Sequence, residues 1–90
     1  MSYEIILIGG GGHAKVLLDA YTENKIIGYT DKKETDIAKL FSINYIGSDK
    51  EINSFPHDSI KLLLGIGSVW ENKQRAEIFN HWTQQNYVFE

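Results

Sequence analysis

Four consecutive glycines, Gly9, Gly10, Gly11 and Gly12, stand between an apolar run and a helical pattern. No other feature narrows the fold as much. Residues 3–8 before them are apolar and rich in β-branched side chains, which predicts a strand buried on both faces. After them, Ala14, Leu17, Leu18 and Tyr21 fall at i, i+3, i+4 and i+7. That spacing predicts a helix over 13–21 with a single apolar stripe. Glu23 and Asn24 close it, Asn24 being suited to the left-handed C′ position. Residues 25–30 predict a second strand, ending at Asp31. Strand, helix and strand in about thirty residues make a βαβ unit, hence a parallel pair with a right-handed crossover.

The rest of the chain repeats the alternation. A short helix is expected around 37–41 and a brief strand at 43–46. Ser48 and Glu51 have capping-box spacing, so another short helix starts there. Pro56 ends what precedes it. Residues 60–66 predict a buried strand closing in Gly65-Ile66-Gly67. Ser68 and Glu71 form a second capping box. It opens the longest helix, 69–85, with Ala76, Phe79 and Trp82 on its inner stripe. Residues 87–89 predict a last strand. The whole reads as an α/β domain, small and Rossmann-like, with a doubly wound, mainly parallel sheet.

Composition excludes several functions. With 90 residues, one domain is the natural count, and so small a domain is only marginally stable alone. Nine basic against twelve acidic residues give a net charge of -3 and no basic cluster, which argues against nucleic acid as a partner. Cysteine is absent, so disulfides, thiolate metal sites and Cys nucleophiles are excluded. His13, His57 and His81 are scattered, and no metal site is expected. The apolar run Ile5-Ile6-Leu7-Ile8 is too short for a membrane span and lacks the basic flank of a signal peptide. A cytoplasmic location and no membrane partner fit these facts. The last residues, Asn86-Tyr87-Val88-Phe89-Glu90, include three strand formers and no stop signal, as expected of a segment cut from a longer chain.

The chemistry centres on Gly9-Gly10-Gly11-Gly12-His13-Ala14, which contains G-x-G-x-x-A after a strand and opening a helix. Glycines allow a tight turn and let backbone approach a phosphate, and the helix N-terminus attracts the anion. The plainer reading is a tight turn without a ligand. Asp31 lies 22 residues after Gly9, where dinucleotide folds place a carboxylate for ribose hydroxyls. It reads equally well as a solvated turn residue. Gly65-Ile66-Gly67-Ser68 forms either the opposite wall of a site or simply a capped helix start. The helix dipole disfavours protonated His13, so a neutral hydrogen-bonding role is expected. His57 and His81 read as surface residues, Trp70 and Trp82 as packing residues. Lys15 reads as a phosphate contact or, more commonly, as part of a solvated helix face. No nucleophile elbow, Ser-His-Asp pattern or P-loop occurs, and no catalytic residue is expected. A full dinucleotide site uses two βαβαβ halves, and this chain has room for one, so a mononucleotide or nucleotide sugar fits better than NAD.

The run Ile5-Ile6-Leu7-Ile8-Gly9-Gly10-Gly11-Gly12-His13-Ala14-Lys15-Val16-Leu17-Leu18-Asp19-Ala20 resembles the start of the bacterial sugar O- and N-acyltransferases. These include UDP-amino-sugar N-acetyltransferases of bacillosamine synthesis and sialic acid O-acetyltransferases. The likeness continues at Ile27-Gly28-Tyr29-Thr30-Asp31, Ile46-Gly47 and Leu64-Gly65-Ile66-Gly67, followed by a helix with Arg75. It covers nearly the whole chain, and the G-x-G-G-H-A-K segment is its most specific part. It implies an N-terminal domain that binds the UDP part of a nucleotide sugar. Gly11, Gly12 and His13 match the glycine-turn contacts, Asp31 the uridine-side carboxylate and Gly67 a backbone contact in the second turn. Many members carry a second acidic residue where Lys32 stands here.

In that family a left-handed β-helix of hexapeptide repeats follows. It supplies the acetyl-CoA site, the catalytic His and the trimer contacts. No such repeats occur in these 90 residues. The resemblance therefore implies no cofactor in this domain, acetyl-CoA as co-substrate elsewhere, a homotrimeric parent and no activity of this chain alone. Two other readings stand beside it. One is an NAD(P)-binding fragment of an oxidoreductase, consistent with Gly9, Gly11, Ala14 and Asp31. The other is a non-catalytic sensor or interaction module.

Overall fold

Nine elements follow in order in the computed structural model, which describes residues 3–20, 25–65 and 72–90. They are β1 (Glu4–Ile8), α1 (Gly12–Ala20), β2 (Ile26–Thr30), α2 (Ile37–Leu40), β3 (Asn44–Gly47), a 3-10 helix (Asp49–Ser54), β4 (Ile60–Leu64), α3 (Asn72–Thr83) and β5 (Val88–Phe89). The sheet order is β3-β2-β1-β4-β5, and every pairing is parallel. The α/β doubly wound architecture is as the alternation implies.

β1 lies at the centre, and its apolar run is continuous because both faces are covered. Ile5, Ile6 and Leu7 are fully buried and Ile8 nearly so. Each such side chain contributes about 1.5–3 kcal/mol of burial. Successive residues point to opposite faces. Ile6 and Ile8 join Ile52, Ile60, Leu62, Trp82 and Tyr87 in one cluster, under the 3-10 helix and α3. Leu7 joins Ala14, Tyr29 and Ile37 in the other, under α1 and α2. The chain thus winds one way from β1 and the other way from β4. The point where strand order reverses lies between those two strands, at their carboxyl ends.

Two details differ from expectation. The inner face of α3 is Ile78 and Trp82, at i and i+4, whereas Ala76 is exposed and Phe79 is 45% exposed. Phe79 instead covers the edge strand, its ring 5.0 Å from that of Phe89. Ser48 does sit at the N-cap of the helix that follows, but its side chain makes no cap hydrogen bond. That helix is 3-10, and the Glu51 N–H already donates to the Ser48 carbonyl at 3.0 Å. The donor a capping hydroxyl would serve is taken. The second capping box, Trp70, Tyr21, Glu23 and Asn24 lie outside the described residues. Asn86 takes the C′ position of α3, at φ 71°. The Asn86 and Tyr87 N–H groups donate to Thr83 and Trp82, which is the Schellman pattern.

Candidate functional site

Parallel strands bring the ends of β1, β2 and β4 to one edge, and the four glycines begin there. Gly9 has φ +96°, a conformation open to few other residues, and its N–H donates to the Thr30 carbonyl at 2.7 Å. Gly10 donates to Oδ2 of Asp31 at 2.9 Å. A side-chain carbon on Gly10 would fall 2.6 Å from Thr35 Oγ1 and 2.7 Å from the Tyr29 ring. Tyr29 is fully buried, and its hydroxyl accepts from the Thr35 N–H at 2.8 Å and donates to the Thr35 carbonyl at 3.2 Å. Neither Gly9 nor Gly10 can be replaced without disturbing the fold.

Gly11 is different. Among the described residues a side-chain carbon there would meet nothing within 4 Å, and its φ is not positive. The described residues place no steric demand for glycine at this position. The Gly11 carbonyl receives the first helical N–H groups, Ala14 at 3.1 Å and Lys15 at 3.4 Å. The N–H groups of Gly11, Gly12 and His13 therefore lie ahead of the intrahelical bonds at the start of α1, where anions are favoured. Just past β4, the Gly65 N–H donates to the Ile8 carbonyl at 2.7 Å. A side-chain carbon on Gly65 would lie 2.8 Å from the Gly9 carbonyl oxygen, so the end of β4 presses against the turn.

Asp31 follows β2 directly. It is partly buried and tied at every polar group. Oδ2 holds Gly10, and Oδ1 accepts from the Lys32 N–H at 2.7 Å. Its own N–H donates to the Gly47 carbonyl at 3.0 Å, and its carbonyl accepts from the Tyr45 hydroxyl at 3.0 Å. Burial and the nearby Asp31 charge push the Tyr45 hydroxyl above its ordinary range. Lys32 is exposed. Lys15 pairs with Asp36 at 3.2 Å, and this hydrogen bond holds the Asp36 carboxyl below its usual value. Gly67 and Ser68 lie outside the described residues.

Sequence reasoning did not find Tyr29, Thr35 and Tyr45, which support the turn from behind. Their residue types read only as strand and loop formers. Thr35 Oγ1 is buried without a hydrogen-bond partner among the described residues. An unbonded buried hydroxyl costs free energy that an apolar isostere avoids. Thr35→Val is expected to leave thermal stability unchanged or raise it by about 1 kcal/mol. A drop in melting temperature would show that the hydroxyl has a partner.

Elsewhere, a hollow of about 460 Å3 between the 3-10 helix and α3 is lined by Asp49, Lys50, Ile78, His81 and Trp82 among others. None of the candidate residues among those described lines it. His57 and His81 are exposed. Among the described residues no group of three His, Asp or Glu is placed to hold a metal ion, and no helix is long and apolar enough to cross a membrane.

A doubly wound parallel sheet with a glycine turn at the point of strand reversal defines a small Rossmann-like domain. The family model of the PglD N-terminal domain matches residues 4–82, from the start of β1 to the last turn of α3. The chain belongs to that family, the N-terminal domain of PglD-type bacterial sugar acetyltransferases, as the resemblance implied. No curated protein and no solved structure gives a significant match.

Proposed function

We propose that this chain is the UDP-sugar-binding domain of a sugar acetyltransferase, and that the diphosphate sits on the N–H groups of Gly11, Gly12 and His13. One observation carries the reading: Gly11 is a glycine that no described neighbour requires, at the one edge of the sheet where ligands gather. Absence of a side chain there leaves room for a phosphate against backbone. The resemblance assigns Asp31 and Gly67 to the nucleotide as well, and Lys32 stands beside Asp31 where many members carry a second acid. Acetyl-CoA, transfer of its acetyl group to an amine or hydroxyl of the sugar, and trimer assembly fall to a hexapeptide-repeat domain outside these 90 residues. A cytoplasmic location accompanies this reading, and the chain alone turns over no acetyl-CoA.

Titration followed by NMR tests it. UDP is expected to bind with Kd ~1 mM, about 4 kcal/mol, moving the amide signals of residues 9–14, 31 and 65–68. NAD acting on the same residues at much lower concentration would replace this reading with an oxidoreductase fragment. Gly11→Val is expected to weaken UDP binding at least ~10-fold, about 1.4 kcal/mol. Lys15→Ala is expected to change it less, since Lys15 is engaged with Asp36. Equal losses, or a larger one for Lys15→Ala, would remove the assignment of Gly11.

A further inference from the structure

We infer that Asp31 is a positioning residue for the glycine turn, acting on an anion through the backbone of Gly10. The ligand half of this inference rests on the proposed function. The turn leaves β1 with two successive N–H groups anchored to β2: Gly9 on the Thr30 carbonyl and Gly10 on the Asp31 carboxylate. The N–H groups beyond Gly10 precede the first intrahelical bonds of α1. Glycine has the largest backbone freedom of any residue, so a run of four keeps one shape only if something outside it fixes that shape. Tyr29 and Thr35 pack on Gly10 from one side, and the Asp31 carboxylate fixes its N–H.

Asp31 is itself immobilised. Its N–H and carbonyl are bound to Gly47 and to the Tyr45 hydroxyl, and Oδ1 to the Lys32 N–H. A swing of the carboxylate toward a ligand would break the Gly10 bond. Charge points the same way. A carboxylate beside an anion site repels the anion. Its place there is explained if the hydrogen bond to Gly10, strengthened by the negative acceptor, organises the N–H groups that follow.

The test compares the wild-type chain with Asp31→Ala and Asp31→Asn, using UDP and inorganic pyrophosphate as probes. Asparagine keeps an acceptor for Gly10 and removes the charge. Asp31→Ala is expected to weaken both probes by a similar factor, about tenfold, the scale of one hydrogen bond to a charged group. Asp31→Asn is expected to bind both at least as tightly as wild type. Loss of UDP binding with pyrophosphate unchanged in Asp31→Ala would overturn the inference in favour of direct ribose contact. Asp31→Asn as weak as Asp31→Ala would overturn it too. Hydrogen exchange of the Gly10 amide, read without ligand, keeps the two readings separable. Protection kept in Asp31→Asn and lost in Asp31→Ala supports the tie even if neither probe binds wild type and the proposed function falls. Equal exchange in all three overturns it. Should Asp31→Ala not fold, Asp31→Asn against wild type still decides: weaker pyrophosphate binding, or unprotected Gly10, refutes the inference.

Discussion

Gly10→Val is expected to lower the melting temperature by roughly 12 to 24 °C, which follows from a loss of about 3 kcal/mol at about 4–8 °C per kcal/mol in a domain of this size. The first added carbon would already lie 2.6 Å from Thr35 Oγ1 and 2.7 Å from the Tyr29 ring. Tyr29 has no exposed surface and no free direction to move, being held by two hydrogen bonds to Thr35. Its ring also lies 5.4 Å from that of Tyr45. Valine must therefore displace the turn from β2, breaking the Gly10 bond to Asp31. Gly11→Val adds the same atoms one residue later, where no described residue lies within 4 Å, and is expected to cost about 1 kcal/mol or less, the scale of a poorer helix N-cap. Thermal melts of the two variants check the contrast. Equal melting temperatures would mean that the fold does not distinguish the two glycines.

That contrast shows where sequence reading stops. The βαβ unit was legible because three signals agreed: an apolar run, a glycine turn and a 3.6-residue stripe through Ala14, Leu17 and Leu18. The buried faces of β1 and α1 follow the pattern. The division of labour among the glycines was not legible, because it depends on Tyr29 and Thr35, about twenty residues further along and brought close only by the parallel pairing of β1 and β2. Asp31 shows the same limit. Its place at the end of β2 was readable, but its partner is a backbone N–H, which carries no residue signature. Local spacing also misled where two solutions overlapped. On α3 the i+3 row Ala76, Phe79, Trp82 and the i+4 pair Ile78, Trp82 share one residue, and packing chose the second. The choice was made by β5, whose Phe89 draws Phe79 to the sheet edge.

Trp82→Ala is expected to be the most damaging single truncation in the hydrophobic core. Removing a buried Trp or Phe side chain costs about 3–5 kcal/mol. The total stability of a chain this long is of order 5–13 kcal/mol, so much of the margin would go. Trp82 is 3% exposed and belongs to the cluster beneath α3 with Ile6, Ile8, Ile52 and Leu62. It also holds the end of its helix. The Tyr87 N–H donates to the Trp82 carbonyl at 3.1 Å, and the two rings meet edge to face at 5.4 Å, the apolar contact that accompanies a Schellman end. Tyr87 in turn donates its hydroxyl to the carbonyls of Ile52 at 3.0 Å and Phe55 at 2.6 Å. Alanine at 82 leaves the backbone bond but removes the ring against which Tyr87 rests. The 3-10 helix, α3 and β5 are then expected to loosen together. Trp82→Phe, which keeps an aromatic face, should recover part of the loss. Urea unfolding followed by circular dichroism measures both variants. A midpoint for Trp82→Ala close to wild type would show that this face of the sheet is held by something other than the Trp82–Tyr87 pair.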